Sequence, residues 1–312
     1  MNSFRGIRRL VAATSLPSSR RFAGTSSPRQ RIPIFGPGSN TEPSAAPETR
    51  LGQYEIVDSC PEPDFDTGCT FCQPEFPPDL QVKSGAPLAG TAPSVGRHLL
   101  VSTGHSEWPN KTELDPASLE AKLRDLQRTG GIRRDPDFNY LVTSTDLAPP
   151  EDKDSWSIHM YPDNLYFPRV PFAKADAFMK RYLVPSRAQE AEGFEEEVEV
   201  RKAENPIIAI CGHTSRDMRC GIVGPMLKAE FEQVLGAKGL LYDSTTDKGV
   251  KVAIVSHVGG HVYAGNVIIF DGRGNSIWYG LVQPKHVQGI VKQTIERKQI
   301  IRPLYRGGTI LD

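Results

Sequence analysis

Two segments in the last third of the chain, CGHTSRDMRC at 211–220 and SHVGGHVYAGN at 256–266, constrain it more than any other feature. Each follows a short apolar run, NPIIAI at 205–210 and KVAIVS at 251–256, of the kind that forms a buried strand. Each segment therefore reads as a loop at the end of a strand. Eight residues separate Cys211 from Cys220, and three separate His257 from His261. Two thiols and two imidazoles on loops at the same end of neighbouring strands can converge on a metal.

The residues around these four suit a centre that carries negative charge. Arg216 and Arg219 favour thiolate over thiol. Thr214, Ser215 and loop amides are expected to donate hydrogen bonds to sulfur, and His213 to stand behind the ligands rather than among them. Gly259 and Gly260 permit positive φ and close backbone approach. Pro225 is read as lying just inside the next helix, which puts Cys220 near a helix N-terminus, where negative charge is favoured. From the residues alone two other readings stay open. A zinc site with two Cys and two His is one, although eight residues between the cysteines is wider than the usual two to four. Histidines that only pack and hydrogen-bond are the other.

The two segments resemble the signatures CxHTSRDxRC and HxGGHxxAGN of the sucrase/ferredoxin-like family. The resemblance is tight over 205–312, looser over 51–185, and absent from the first 50 residues. It implies a thioredoxin-like ferredoxin fold for the last part of the chain. It also implies a [2Fe–2S] cluster in which the second cysteine pair of ordinary thioredoxin-like ferredoxins is replaced by His257 and His261. Cys211 and Cys220 would then hold one iron and the two histidines the other, as in centres with two imidazole ligands. The activity implied is one-electron transfer or redox sensing with an unidentified redox partner protein.

The chain has 312 residues and a formal net charge of +0, room for two compact α/β domains. That neutral balance argues against nucleic acid as the main partner. No apolar run approaches the roughly 18–20 residues of a transmembrane segment. Residues 1–41 hold seven Arg, no Lys and no acid, with Phe4, Ile7, Leu10 and Val11 on one helical face. This composition reads as a mitochondrial transit peptide over 1–22, with the matrix as the favoured destination, followed by an unstructured stretch over 23–50.

Residues 51–185 read as an N-terminal α/β domain. Its strands are HLLVST, NYLVTSTD and WSIHMYP, and its helices are ELDPASLEAKLRDLQRTGG and FAKADAFMKRYLVP. Residues 186–204, with seven Glu, read as a solvated acidic linker. Residues 205–312 follow the order strand, loop, helix, strand, loop, strand, strand, helix. No internal sequence repeat is visible, yet both halves are compatible with one thioredoxin-like topology. Cys60, Cys69 and Cys72 form a separate group, CPEPDFDTGCTFC, in which Cys69 and Cys72 make a C-x-x-C. The following QPEFPPDL cannot open a helix, so this is not a thioredoxin active site. A thiol-disulfide oxidoreductase acting through Cys69 and Cys72 remains an alternative function, as does a zinc-stabilised interaction module.

Overall fold

The computed structural model describes residues 49–132, 135 and 138–311. The expected transit peptide, and all but the end of the 23–50 stretch, lie outside the described residues. The strands in chain order are β1 (Arg50–Leu51), β2 (Tyr54–Val57), β3 (Arg97–Ser102), β4 (Tyr140–Thr145), β5 (Ser155–Tyr161), β6 (Leu165–Pro171) and β7 (Arg201–Lys202). They continue with β8 (Ile207–Cys211), β9 (Lys251–Val255), β10 (Val267–Phe270), β11 (Ser276–Tyr279), β12 (Gln299–Ile301) and β13 (Tyr305–Thr309). The α-helices are α1 (Leu119–Thr129), α2 (Ala175–Phe178), α3 (Phe194–Glu197), α4 (Met218–Ala237) and α5 (Val287–Ile290). Wider turns extend α2 through Leu183 and α5 through Glu296.

Ten strands form one sheet in the order β13-β11-β10-β8-β9-β4-β3-β5-β6-β7. The order contains the same unit twice. In β3–α1–β4–β5–β6–α2, β3 pairs parallel with β4 and antiparallel with β5. In β8–α4–β9–β10–β11–α5, β8 pairs parallel with β9 and antiparallel with β10. The two units meet through β4 and β9, at the pair Thr145↔Val255.

The sheet is bent back on itself. β10 and β5 are five strand spacings apart in the order, roughly 24 Å if the sheet were flat. Yet the Phe270 and Tyr161 rings stack at 4.1 Å, and Asn164 Nδ2 donates to the Gly272 carbonyl at 2.8 Å. Three apolar cores follow from this bend. Helices α4 and α5 cover one outer face, where Val223, Leu227, Phe231, Val234 and Leu235 are buried. Helices α1 and α2 cover the other, around Leu119, Leu123, Phe167 and Phe178. The inner core lies between the two units and contains Leu100, Tyr161, Ala209, Cys211, Cys220 and Phe270.

Helix α1 starts where Ser118 caps it, its side chain accepting from Ala121 N, and stops at Gly130 as expected. Helix α4 differs from expectation. It begins at Met218 with Asp217 as its cap, so Pro225 sits well inside the helix rather than in its first turn. Cys220 falls in the first turn, so its expected closeness to the helix N-terminus holds although the helix starts earlier. Gly224 is required where the helix meets β8, because a Cβ there would come within 2.7 Å of the Gly212 Cα.

Two stretches are placed differently from the sequence reading. The segment from Thr49 to Ala92 packs on the C-terminal unit. β2 pairs parallel with β12, and the buried Tyr54 hydroxyl donates to Asp271. The acidic 186–204 stretch is not wholly solvated, since Ala191, Phe194 and Val198 are buried and the last two join the α1/α2 core. Their spacing among seven Glu hides this anchoring from a composition argument.

Glu120, in the first turn of α1, has both carboxylate oxygens buried with no hydrogen-bond partner in good geometry. Burial raises its pKa, opposed in part by its own amide and the Thr112 side chain. The unfolded carboxyl ionises from about 4.5 upward, and the folded one at higher pH than that. The folded state therefore binds more protons, and its stability falls as pH rises. Glu120→Gln removes that ionisation. Its stability relative to wild type should grow by about 1–3 kcal/mol between pH 4 and pH 7. Denaturant titrations at both pH values measure this, and an unchanged difference would refute the buried-acid account.

Candidate functional site

The site is built where β8 and β9 end side by side. Cys211 is the last residue of β8, and Cys220 comes from the first turn of α4. Both are fully buried. Cys220 hydrogen-bonds to the Cys211 sulfur, which is also approached by the His257 ring and the Val258 amide. Cys211 is therefore held well below the ordinary thiol range, chiefly by the Cys220 hydrogen bond. Cys220, as donor and buried beside that sulfur, is pushed up.

His257 and His261 follow on the loop after β9. Their ring centroids are 5.7 Å apart, and both Nδ1 atoms are buried without a hydrogen-bond partner. A buried imidazole nitrogen with no hydrogen-bond partner is chemically available as a metal ligand. His261 Nδ1 also lies 3.7 Å from Asp217 Oδ2. Among the described residues, no three His, Cys, Asp or Glu side chains stand ready to hold a single ion.

His213 is 1 % exposed and already committed. Its Nε2 faces the carbonyls of Trp108 and Pro109 at 3.0 and 3.1 Å, and its Nδ1 accepts from the His257 amide at 3.2 Å. These contacts assign the proton to Nε2 and leave neither nitrogen free. His213 thus joins the two ligand loops to the loop after β3.

Thr214 and Ser215 do not serve the sulfurs as expected. Their amides donate to the Glu107 carboxylate, both at 2.9 Å, and the Ser215 hydroxyl donates to it as well. Burial would raise Glu107, but the hydrogen bonds from Ser215 and Thr214 outweigh it and hold the carboxyl at about 2. Arg216 reaches Asn110 Oδ1 at 2.9 Å. Arg219 makes a two-pronged pair with Asp217 and donates to the Gln81 carbonyl at 2.8 Å, while its charge acts to lower Cys220. The arginine at 219 therefore has the expected electrostatic direction, although its hydrogen bonds go elsewhere.

Arg306 is the residue that sequence reasoning missed. It comes from β13 and is 1 % exposed. Its guanidinium donates to the Gly259 carbonyl, to Asn266 Oδ1, and to both the hydroxyl and the carbonyl of Thr91. Asn266 in turn donates to the Gly260 carbonyl at 3.0 Å, and its own carbonyl accepts from the Cys211 amide at 3.0 Å. The histidine loop is thus held from beneath by a buried cation. Gly259 and Gly260 take positive φ, and a Cβ at Gly260 would strike the Arg306 guanidinium. Burial lowers Arg306 to about 10, and the two cysteines oppose that shift. In YRGGT nothing marks this arginine as buried, because its partners come from residues 91, 259 and 266.

The other cysteines stand apart. Cys60 packs under Gly289 with its thiol toward the His286 carbonyl, and burial pushes it up to about 11. Cys69 and Cys72 lie on a turn closed by Cys72 N to Cys69 O at 2.9 Å. Thr67 and Thr70 fasten that turn to the buried Glu230 of α4. The Cys69 thiol is hydrogen-bonded to Cys72 and pushed up to about 11, which leaves little thiolate for attack at neutral pH.

Two buried thiols and a nearby pair of imidazoles are thus gathered at one end of a doubled α/β scaffold, and comparison places the chain. The sucrase/ferredoxin-like family model matches residues 88–307, and the chain belongs to that family. It is 38% identical over 286 residues to altered inheritance of mitochondria protein 32 of Meyerozyma guilliermondii, covering 83% of this chain and 97% of that one. It is 36% identical to the protein of the same name from Clavispora lusitaniae, covering 82% and 96%. It is also similar to actin patches distal protein 1 of Saccharomyces cerevisiae, 30% identical over 69% of this chain and 74% of that one.

Proposed function

We propose that this chain is a mitochondrial [2Fe–2S] protein, with Cys211 and Cys220 on one iron and His257 and His261 on the other, working in electron transfer or redox sensing. The observation that carries the reading is the paired donor set. Two hydrogen-bonded buried thiols stand beside the His257 ring, the His261 ring lies 5.7 Å from it, and both Nδ1 atoms are buried and unpartnered. Donors in two pairs suit a two-iron cluster, whereas a single zinc ion needs all four to meet at one point. The thioredoxin-like ferredoxin fold is part of the same proposal, and the β8–α4–β9–β10–β11–α5 order supports it.

Such a cluster, when bound, supplies a one-electron couple. The protein's own residues do the rest. Arg306 and Arg219 place positive charge near the sulfurs, and His213 and Glu107 hold the cysteine loop against the loop after β3. A cleft of about 230 Å³, lined by Lys111, Arg216 and His257 among others, gives a partner access to the histidine end. Among the described residues no helix is long and apolar enough to cross a membrane. Mitochondrial location rests on the names of the relatives and on the Arg-rich, acid-free first 41 residues, which favour the matrix.

Anaerobic purification with metal and sulfide analysis tests the assignment. About two iron and two acid-labile sulfide per chain, with visible absorption and an EPR signal after reduction, are expected. A colourless protein holding one zinc would replace this reading with the zinc-stabilised module.

A further inference from the structure

A cavity of about 280 Å³ opens where β5 and β6 of the first unit, with the edge strand β7, face β9 and the 241–250 turn of the second. It lies apart from the cysteine and histidine loops and shares no lining residue with them. Two features of its wall remain unexplained by folding alone. The Lys251 ammonium is half-buried, and among the described residues it has neither a hydrogen bond nor a carboxylate within ion-pair distance. It lies over the Tyr242 ring, 4.4 Å from the centroid. His159 is 6 % exposed with an unpartnered Nδ1, and its ring stacks on Tyr166 at 4.4 Å.

Among the described residues no acid is ion-paired with Lys251, although Asp247 and the exposed Glu204 both line the cavity. Asp247 is taken up by the Tyr242 hydroxyl at 2.8 Å and by Asn205. At the rim Arg201 is already paired with Glu199. Burial pulls the Lys251 pKa down, against a smaller opposing effect of Asp247. A half-buried cation with no ion-paired carboxylate carries a desolvation cost, and a bound anion would offset it. The flanking Tyr166, His159 and Tyr242 rings offer flat surfaces for a planar group.

We propose that this cavity binds a small aromatic oxyanion, a carboxylate or a phosphate monoester, with its charge on Lys251 and its ring against the Tyr166–His159 wall. The His159 imidazole adds a hydrogen bond to the oxyanion from Nε2–H, since its Nδ1 is closed off. The ligand's size is set by the cavity, which is too large for bare phosphate alone.

The full chain is titrated calorimetrically with phenyl phosphate, benzoate, inorganic phosphate and benzyltrimethylammonium. Saturable binding of phenyl phosphate or benzoate is expected, tighter than inorganic phosphate, with the cation not bound. The better of the two aromatic anions identifies the headgroup. Lys251→Gln should weaken that ligand about tenfold or more, the loss expected for one charge-assisted hydrogen bond. His159→Phe, which keeps the ring stack, should weaken it about threefold to tenfold. Thermal unfolding of both variants establishes that they fold. Absence of saturable binding of both aromatic anions, equal binding of the cation, or wild-type affinity in Lys251→Gln overturns the proposal.

Discussion

Cys211→Ser or Cys220→Ser should yield a folded, colourless protein that retains less than about a tenth of wild-type iron. A serine hydroxyl matches the thiol in shape but is far less acidic, and only the deprotonated sulfur is a good cluster ligand. Cys211 is already poised, because Cys220, the His257 ring and the Val258 amide all favour its thiolate. The histidines should behave differently. His257→Ala or His261→Ala should leave a labile centre, since each removes one neutral donor from the more accessible side; the His261 side chain is 43 % exposed. Changing both histidines to Cys should restore an all-thiolate set and lower the potential by several hundred mV, by analogy with all-thiolate centres against those with two imidazoles. Iron analysis and voltammetry read both effects. A double-Cys variant that binds its cluster at an unchanged potential would mean that these histidines are not ligands.

How far this site could be read from the sequence depends on how local each contact is. The strands β3, β4, β5, β8, β9 and the β10–β11 hairpin announce themselves in their own β-branched and aromatic runs, and the helix α1 in its Leu119, Leu123, Leu126 stripe. The four candidate ligands lie in two short segments, so their loops could be placed at strand ends without tertiary information. The supports could not. Glu107 grips the amides of residues more than a hundred positions away, and nothing in HSEWPN shows it. The β2–β12 pairing joins Glu55 to Gln299. Periodicity reports that a face is buried, not what buries it, so the fold-back that stacks Tyr161 on Phe270 was out of reach. Pro225 misled for a different reason. Proline favours a first turn, but here Asp217 caps the helix earlier and the chain accepts one missing hydrogen bond inside it.

Arg306→Ala should be among the most damaging single substitutions in the chain, costing about 3–5 kcal/mol. Its guanidinium satisfies the Gly259 carbonyl, Asn266 Oδ1 and both oxygens of Thr91 from a position with no solvent to take over. Removing it leaves those acceptors buried and unpaired and opens a cavity beneath Gly260 and Tyr263, over whose ring the guanidinium lies at 5.2 Å. Lys is not an adequate replacement, because one compact ammonium with three N–H groups cannot reach four acceptor atoms on three residues in the geometry of a planar fork. Arg306→Lys should therefore recover only part of the lost stability. The consequence for the centre is larger than the stability alone, since the same guanidinium fixes the loop that carries His257 and His261. At a temperature where Arg306→Lys remains folded, iron should leave it faster than wild type while Cys211 and Cys220 are unaltered. Chelator-challenge kinetics beside thermal unfolding separate the two effects. Iron loss at the wild-type rate in a folded Arg306→Lys protein would show that the histidine loop holds its shape without the arginine fork.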